Sequence, residues 1–98
     1  MVFRFPSLFS ETKVGKKTLK NRICLCATVT NFAQNNKITD SWRNFLLERA
    51  RGGAAMLVTE VIAVDPEAIA QSSTITGFDP TNESGFKLIA NDVHKEDA

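Results

Sequence analysis

Two near-continuous apolar runs, Ile23-Cys24-Leu25-Cys26-Ala27-Thr28-Val29 and Ala55-Met56-Leu57-Val58-Thr59-Glu60-Val61-Ile62-Ala63-Val64, set the tightest limit on what this chain can fold into. Neither alternates apolar with polar residues, as a strand with one wet face does. Runs of this kind predict strands covered on both faces, as in a parallel α/β sheet. The segment between them supplies a cover. Thr39 and Asp40 are both good N-caps, and Trp42, Phe45, Leu46, Arg49 and Ala50 share one helical face. Arg49 and Arg51 suit the negative end of the helix dipole, and Gly52-Gly53 stops the helix. After the second run, Asp65-Pro66 breaks the strand and a loop rich in Ser and Thr follows. Asp79-Pro80 then opens another helix, with Phe86, Ile89, Ala90 and Val93 as its inward stripe.

The order is therefore strand, helix, strand, helix, which calls for parallel strands joined by a right-handed crossover. Two such strands can neither cover both their faces nor satisfy both their edges. The pattern predicts part of a larger α/β protein. Length alone permits a single domain: 98 residues and 10.8 kDa correspond to roughly 5,500 Å² of accessible surface when compact, about a third of the unfolded value.

Upstream of the first strand, residues 7–22 read as a basic surface hairpin. Thr12-Lys13-Val14 and Thr18-Leu19-Lys20 flank Gly15-Lys16-Lys17. Six of the twelve cations (Arg4, Lys13, Lys16, Lys17, Lys20 and Arg22) fall before residue 23, but no aromatic lies inside the hairpin's basic run and the net charge is only +1. A solvated hairpin fits better than a nucleic-acid arm. Gly15-Lys16-Lys17-Thr18 is not a P-loop, because Ser10 stands where the first glycine belongs and Lys17 where Ser or Thr must follow the lysine.

Cys24 and Cys26 share one side of their strand but are too far apart along it to bridge, so both are expected as reduced thiols. With the single His94 they do not make the four ligands of a zinc site, and no metal is expected. The opening Met1-Val2-Phe3-Arg4-Phe5-Pro6 lacks the apolar core of a leader, and no run of about 18 apolar residues suggests a membrane span; a cytoplasmic location is expected. Asn35-Asn36 tolerates a tight turn, and His94 reads as a surface residue near a helix end. Glu60, a carboxylate late in a buried strand, needs a partner or water and is the strongest polar candidate, as a functional or a hydrogen-bonding group.

Leu8-Phe9-Ser10, Leu19-Lys20-Asn21-Arg22-Ile23, Arg49-Ala50-Arg51-Gly52-Gly53 and Leu57-Val58-Thr59-Glu60, continued by Phe86-Lys87-Leu88 and Val93-His94, resemble the N-terminal segment of the Old Yellow Enzyme family of NAD(P)H:flavin oxidoreductases. The likeness is closer to the bacterial ene-reductase and dienoyl-CoA-reductase-like branches. It implies an FMN-binding TIM barrel, of which residues 7–22 would be a floor hairpin, 23–53 the first βα unit and 54–98 the second, incomplete as given. The family's first flavin-binding loop (a small residue, Pro, Met, then Cys or Thr) falls on Cys26, Ala27, Thr28 and Val29. The proline is missing and Val29 replaces the hydroxyl or thiol. Val61 would lie against flavin in place of a smaller residue, and Asn31 takes the position of a substrate-side tyrosine. Thr59-Glu60 matches the family, which favours a structural or flavin-adjacent Glu60.

The family's flavin-contacting Gln, its paired substrate-orienting His-His or His-Asn, its Tyr proton donor and its phosphate site belong to later strands, so no catalytic residue is assigned here. The implied activity is hydride transfer from NAD(P)H through FMN to an activated alkene or similar small molecule. The piece itself is expected to be inactive. A non-catalytic subunit that completes a split barrel, or self-associates, through its open strand edges is the alternative.

Overall fold

A computed structural model describes residues 4–98; residues 1–3 of the segment inspected for a leader lie outside it. A two-stranded antiparallel hairpin, β1 (Thr12–Val14) and β2 (Lys17–Leu19), comes first. Its turn is Gly15-Lys16, one residue shorter than the sequence suggests, because Lys17 already pairs with Val14. Gly15 has φ +61°, as a two-residue hairpin with glycine first requires.

Next come β3 (Cys24–Leu25), α1 (Asp40–Arg51) and β4 (Met56–Leu57), with β3 and β4 parallel in the register Cys24 to Met56 and Leu25 to Leu57. The helix forms where the spacing places it. Thr39 caps it by accepting from Trp42 N at 3.3 Å, and the chain leaves through Gly53 at φ +110°. Trp42, Leu46 and Ala50 are its buried face, and Phe45 and Arg49 flank that face, with the guanidinium 3.8 Å from the ring centroid. The last helix, α2 (Glu83–Lys95), follows a 3₁₀ turn at Pro80–Asn82 in which Asp79 accepts from Thr81 N at 2.9 Å. Its Phe86 meets Trp42 edge to face, and Ile89 is buried in the same cluster. His94 is exposed in its last turn.

The structure corrects the two long strands. Ile23–Val29 pairs only over Cys24–Leu25, extended one bond at each end, by Ala55 N to Ile23 O at 2.9 Å and by Val58 N to Leu25 O at 3.0 Å. Ala55–Val64 divides into β4 and a separate β5 (Ile62–Ala63), which pairs in parallel with β6 (Ile75–Thr76). β6 lies in the stretch read from sequence as a Ser/Thr-rich loop. Double coverage fails as well. Leu25 and Leu57 pack against the helical core, while Cys24, Cys26, Val29, Val58 and Val61 are exposed, because helices cover one side of the sheet only. A surface of 6768 Å² and a radius of gyration of 15.1 Å exceed the roughly 5,500 Å² and about 13 Å of a compact chain this long.

The Lys20-Asn21-Arg22 triplet explains itself in contacts. Lys20 Nζ donates to Glu96 O at 2.7 Å at the end of α2, and Arg22 reaches Ser10 Oγ and Glu11 O. Asn21, buried, donates to Gly53 O at 2.7 Å and accepts from Ile23 N at 2.9 Å. Three side chains thereby tie the hairpin, the foot of β3 and the entry to β4 together.

Candidate functional site

Beyond the C-terminal ends of β3 and β4 the chain runs as two adjacent segments, residues 26–31 and 58–61, joined by one buried carboxylate. Glu60, only 8% exposed, accepts from Thr30 Oγ1 at 2.6 Å and from Thr30 N at 3.3 Å. Phe32 N donates to the same hydroxyl at 3.2 Å. Glu60 thus has its partner within the protein, which is what burial of a carboxylate demands. Its neighbours in sequence are the residues that matter. Val29 precedes Thr30 and Val61 follows Glu60, and these two valines are 57% and 65% exposed. The clamp therefore fixes the spacing of two bare apolar side chains.

Cys26, Ala27 and Thr28 complete the flank, all exposed, with Thr28 Oγ1 donating to Cys26 O at 3.2 Å. Among the described residues the N–H groups of Ala27, Thr28 and Val29 meet no protein acceptor. Small apolar side chains beside uncommitted amides suit a flat aromatic ring with polar edges. No lysine or arginine lies within 26–31 or 58–61, so the segments fit a ring system rather than a phosphate.

Asn31 stands at the rim in the left-handed region, φ +59°, with Oδ1 accepting from Gln71 Nε2 at 2.9 Å and Ser73 Oγ at 3.0 Å. The structure thus brings Asn31 beside two residues that the sequence reading missed; their only sign was the polar loop that contains them. Behind the rim, Asn35 and Asn36, φ +53° and +61°, form the expected tight turn between Gln34 and Lys37. Asn36 donates to Gln71 O and Thr74 O, and Asn82, buried, donates to Asn36 O and Thr76 O. Lys37 pairs with Asp79 at 2.8 Å and also meets Thr81 Oγ1. The Lys37 ammonium, with the Thr81 hydroxyl and N–H, holds the Asp79 carboxyl down at about 2.

A cleft of about 560 Å³ lies at the other end of the strands, between the hairpin (Val14, Leu19), Met56 and Val93. It holds none of the predicted site residues. Among the described residues no group of three or more His, Cys, Asp or Glu is placed to hold a metal, and no helix is long and apolar enough to cross a membrane.

Comparison with known proteins bears on the family and the fold. Residues 7–98 match the family described as NADH:flavin oxidoreductase / NADH oxidase. The chain is 34% identical over 93 residues to 4,4'-dithiodibutanoate disulfide reductase of Rhodococcus erythropolis, covering 95% of itself and 23% of that protein. It is 30% identical over 92 residues to NADH oxidase of Thermoanaerobacter brockii, covering 14% of it. In structure it superimposes on 2-naphthoyl-CoA reductase (TM-score 0.88, 26% identity, 94% of this chain and 14% of that one). It also superimposes on Old Yellow Enzyme of a Pichia species (TM-score 0.85, 26% identity, 94% of this chain and 24% of that one). The chain thus spans less than a quarter of the length of each of these proteins.

Proposed function

The chain belongs to the NADH:flavin oxidoreductase / NADH oxidase family, whose members are FMN-dependent with NAD(P)H as reductant, and on that premise we propose that it supplies the first two βα units of such an enzyme's barrel. Hydride would pass from NAD(P)H to an activated alkene or a similar small acceptor. One observation carries the reading: the bare flank Cys26–Val29 and Val61 sits just past the C-terminal ends of two parallel strands, where barrel active sites lie.

FMN, when bound, supplies the hydride-carrying ring; this chain supplies a surface for one edge of it. Cys26, Ala27, Thr28 and Val29 would face the ring with small side chains and free amides, and Val61 would pack against it from the second strand. Glu60 holds the two segments in register through Thr30 and is a positioning residue. Asn31, steadied by Gln71 and Ser73, would border the substrate. The phosphate anchor, the substrate-orienting pair and the proton donor would come from outside this chain, so we expect residues 1–98 to be inactive alone. Cytoplasmic residence belongs to the same reading, since the two free cysteines suit a reducing compartment.

The test mixes purified chain with FMN and NADPH and follows flavin bleaching and fluorescence. No bleaching and at most weak quenching are expected; reproducible turnover would overturn the claim of inactivity. Co-expression with a relative's segment beginning at the third barrel strand should restore flavin binding. Stable co-purification without flavin would instead favour a non-catalytic subunit docking through the uncovered sheet.

A further inference from the structure

Asn36 is bonded on one side to the loop that carries Gln71 and Ser73 and on the other to the start of α2. Its backbone N–H donates to Ser72 O at 2.8 Å. Its Nδ2 donates to Gln71 O at 2.8 Å and to Thr74 O at 2.7 Å. Carbonyl oxygens only accept, so these partners fix which way the side-chain amide points. The Asn36 carbonyl in turn accepts from Asn82 Nδ2 at 3.0 Å and from Thr76 Oγ1 at 3.3 Å. Asn82 is 2% exposed, and its Oδ1 accepts from Ile38 N at 3.1 Å. Support from the buried end of α2 thus passes through one residue to residues 71–74.

Residues 71–74 hold the side chains that reach Asn31. Gln71, whose carbonyl Asn36 fixes, donates from Nε2 to Asn31 Oδ1 at 2.9 Å. Ser73 lies between Ser72 and Thr74, whose carbonyls Asn36 also holds, and donates from Oγ to the same Oδ1 at 3.0 Å. No charge assists them. Residues 26–36 and 68–78 contain no Asp, Glu, Lys, Arg or His, and Lys37 is committed to Asp79 at 2.8 Å. An uncharged rim orients a ligand by hydrogen bonds, which weaken steeply when misaligned. The placement of residues 71–73 therefore decides what the rim can do.

We propose that Asn36 is the positioning residue of the substrate rim: through Gln71 and Ser73 it sets the Asn31 amide against which the substrate would lie. Its left-handed backbone, φ +61°, belongs to the same device, because few residues other than Asn, Asp and Gly adopt it readily. Glu60 fixes the spacing of the two bare valines, and Asn36 does the equivalent for the polar edge of the site. The inference rests on the flavin-site reading for what the rim borders, and not for how the rim is held.

NMR of the isotope-labelled 98-residue chain tests it through the side-chain amide signals of Asn31 and Gln71. Asn36→Asp keeps the shape and tolerates the left-handed backbone, but it removes both side-chain donors and sets oxygen against two carbonyls. Both signal pairs should move to the positions of free amides, while the Trp42 indole signal and the exchange of the α1 amides stay as in the parent. Asn36→Gly keeps the backbone bond to Ser72 and should give the same result. Gln71→Leu should move the Asn31 pair, which ties that signal to the contact. Unmoved Asn31 and Gln71 pairs in both Asn36 variants would overturn the inference. So would a Trp42 signal that moves with them, since Asn36 would then serve the whole fold. In a flavoprotein reassembled with the relative's segment from the third barrel strand, Asn36→Asp should raise KM about 10-fold, the worth of one hydrogen bond, with kcat and flavin content unchanged. An unchanged KM would overturn the inference, whereas a parent that takes up no flavin would overturn the flavin reading and leave the NMR result to decide this one.

Discussion

The two faces of the β3–β4 pair carry equally apolar side chains and meet opposite fates. On one, Leu25 and Leu57 lie under Trp42, Leu46 and Ile89, and the helices seal them. On the other, Cys24, Cys26 and Val58 stay open, continuous with Val29 and Val61 beyond the strand ends. Hydrophobicity alone therefore does not say which side is core. What separates them is whether the chain's own helices reach the face. The sealed face makes the fold, and the open one is left for a ligand, for further chain or for a partner.

If that division is right, substitutions should sort by face. Trp42→Ala, at a residue 1% exposed, should cost about 3–5 kcal/mol in chemical denaturation, enough to abolish the folded state of a small chain. Thr30→Val deprives the buried Glu60 carboxylate of its hydroxyl donor at the boundary between the faces. It should cost about 1–3 kcal/mol, and Glu60→Gln less, because an amide oxygen still accepts from Thr30. Gly85→Ala should destabilise by about 1–2 kcal/mol despite alanine's better helix propensity. A Cβ there would lie 2.9 Å from Ile38 Cδ1 and 3.1 Å from Ile38 Cβ, the contact that seats α2 on the loop before α1. Val61→Ser, on the open face, should change stability by no more than about 0.5 kcal/mol. A large loss at Val61 would mean that the open face is covered in solution, and the comparison would fail.

Acid should loosen the turn behind the rim. Asp79 has a folded pKa of about 2, below the usual carboxyl value, so its contribution is complete above about pH 4 and is lost as the pH falls toward 2. Acid titration of Asp79→Asn beside the parent should show the parent losing more stability across that window. Because the Lys37–Asp79 pair is partly exposed, added salt should shrink the difference.

How much of this could be read in advance follows from the range of the interactions. α1 was legible to within a residue because its cap, stripe and glycine stop all lie within its own segment. The division of Ala55–Val64 was not. It depends on Thr30, thirty positions away from Glu60, and on a partner strand at Ile75 that carries no strand-like run of its own. The expectation for Cys26–Val29 and Val61 came only through resemblance, since exposed small residues have no periodic signature. Gln71 and Ser73 were not legible at all, because the left-handed Asn31 that gathers them sits forty positions upstream of Gln71.

The contact from Lys20 Nζ to Glu96 O has a kinetic side. It joins residues 76 positions apart, so forming it closes a loop of most of the chain, a cost repaid only after the intervening elements are in place. Such a contact forms late in folding and opens early. The hairpin and the last turn of α2 should therefore exchange their amide hydrogens through one shared opening, at a lower free energy than the amides of α1, and Lys20→Met should accelerate both together.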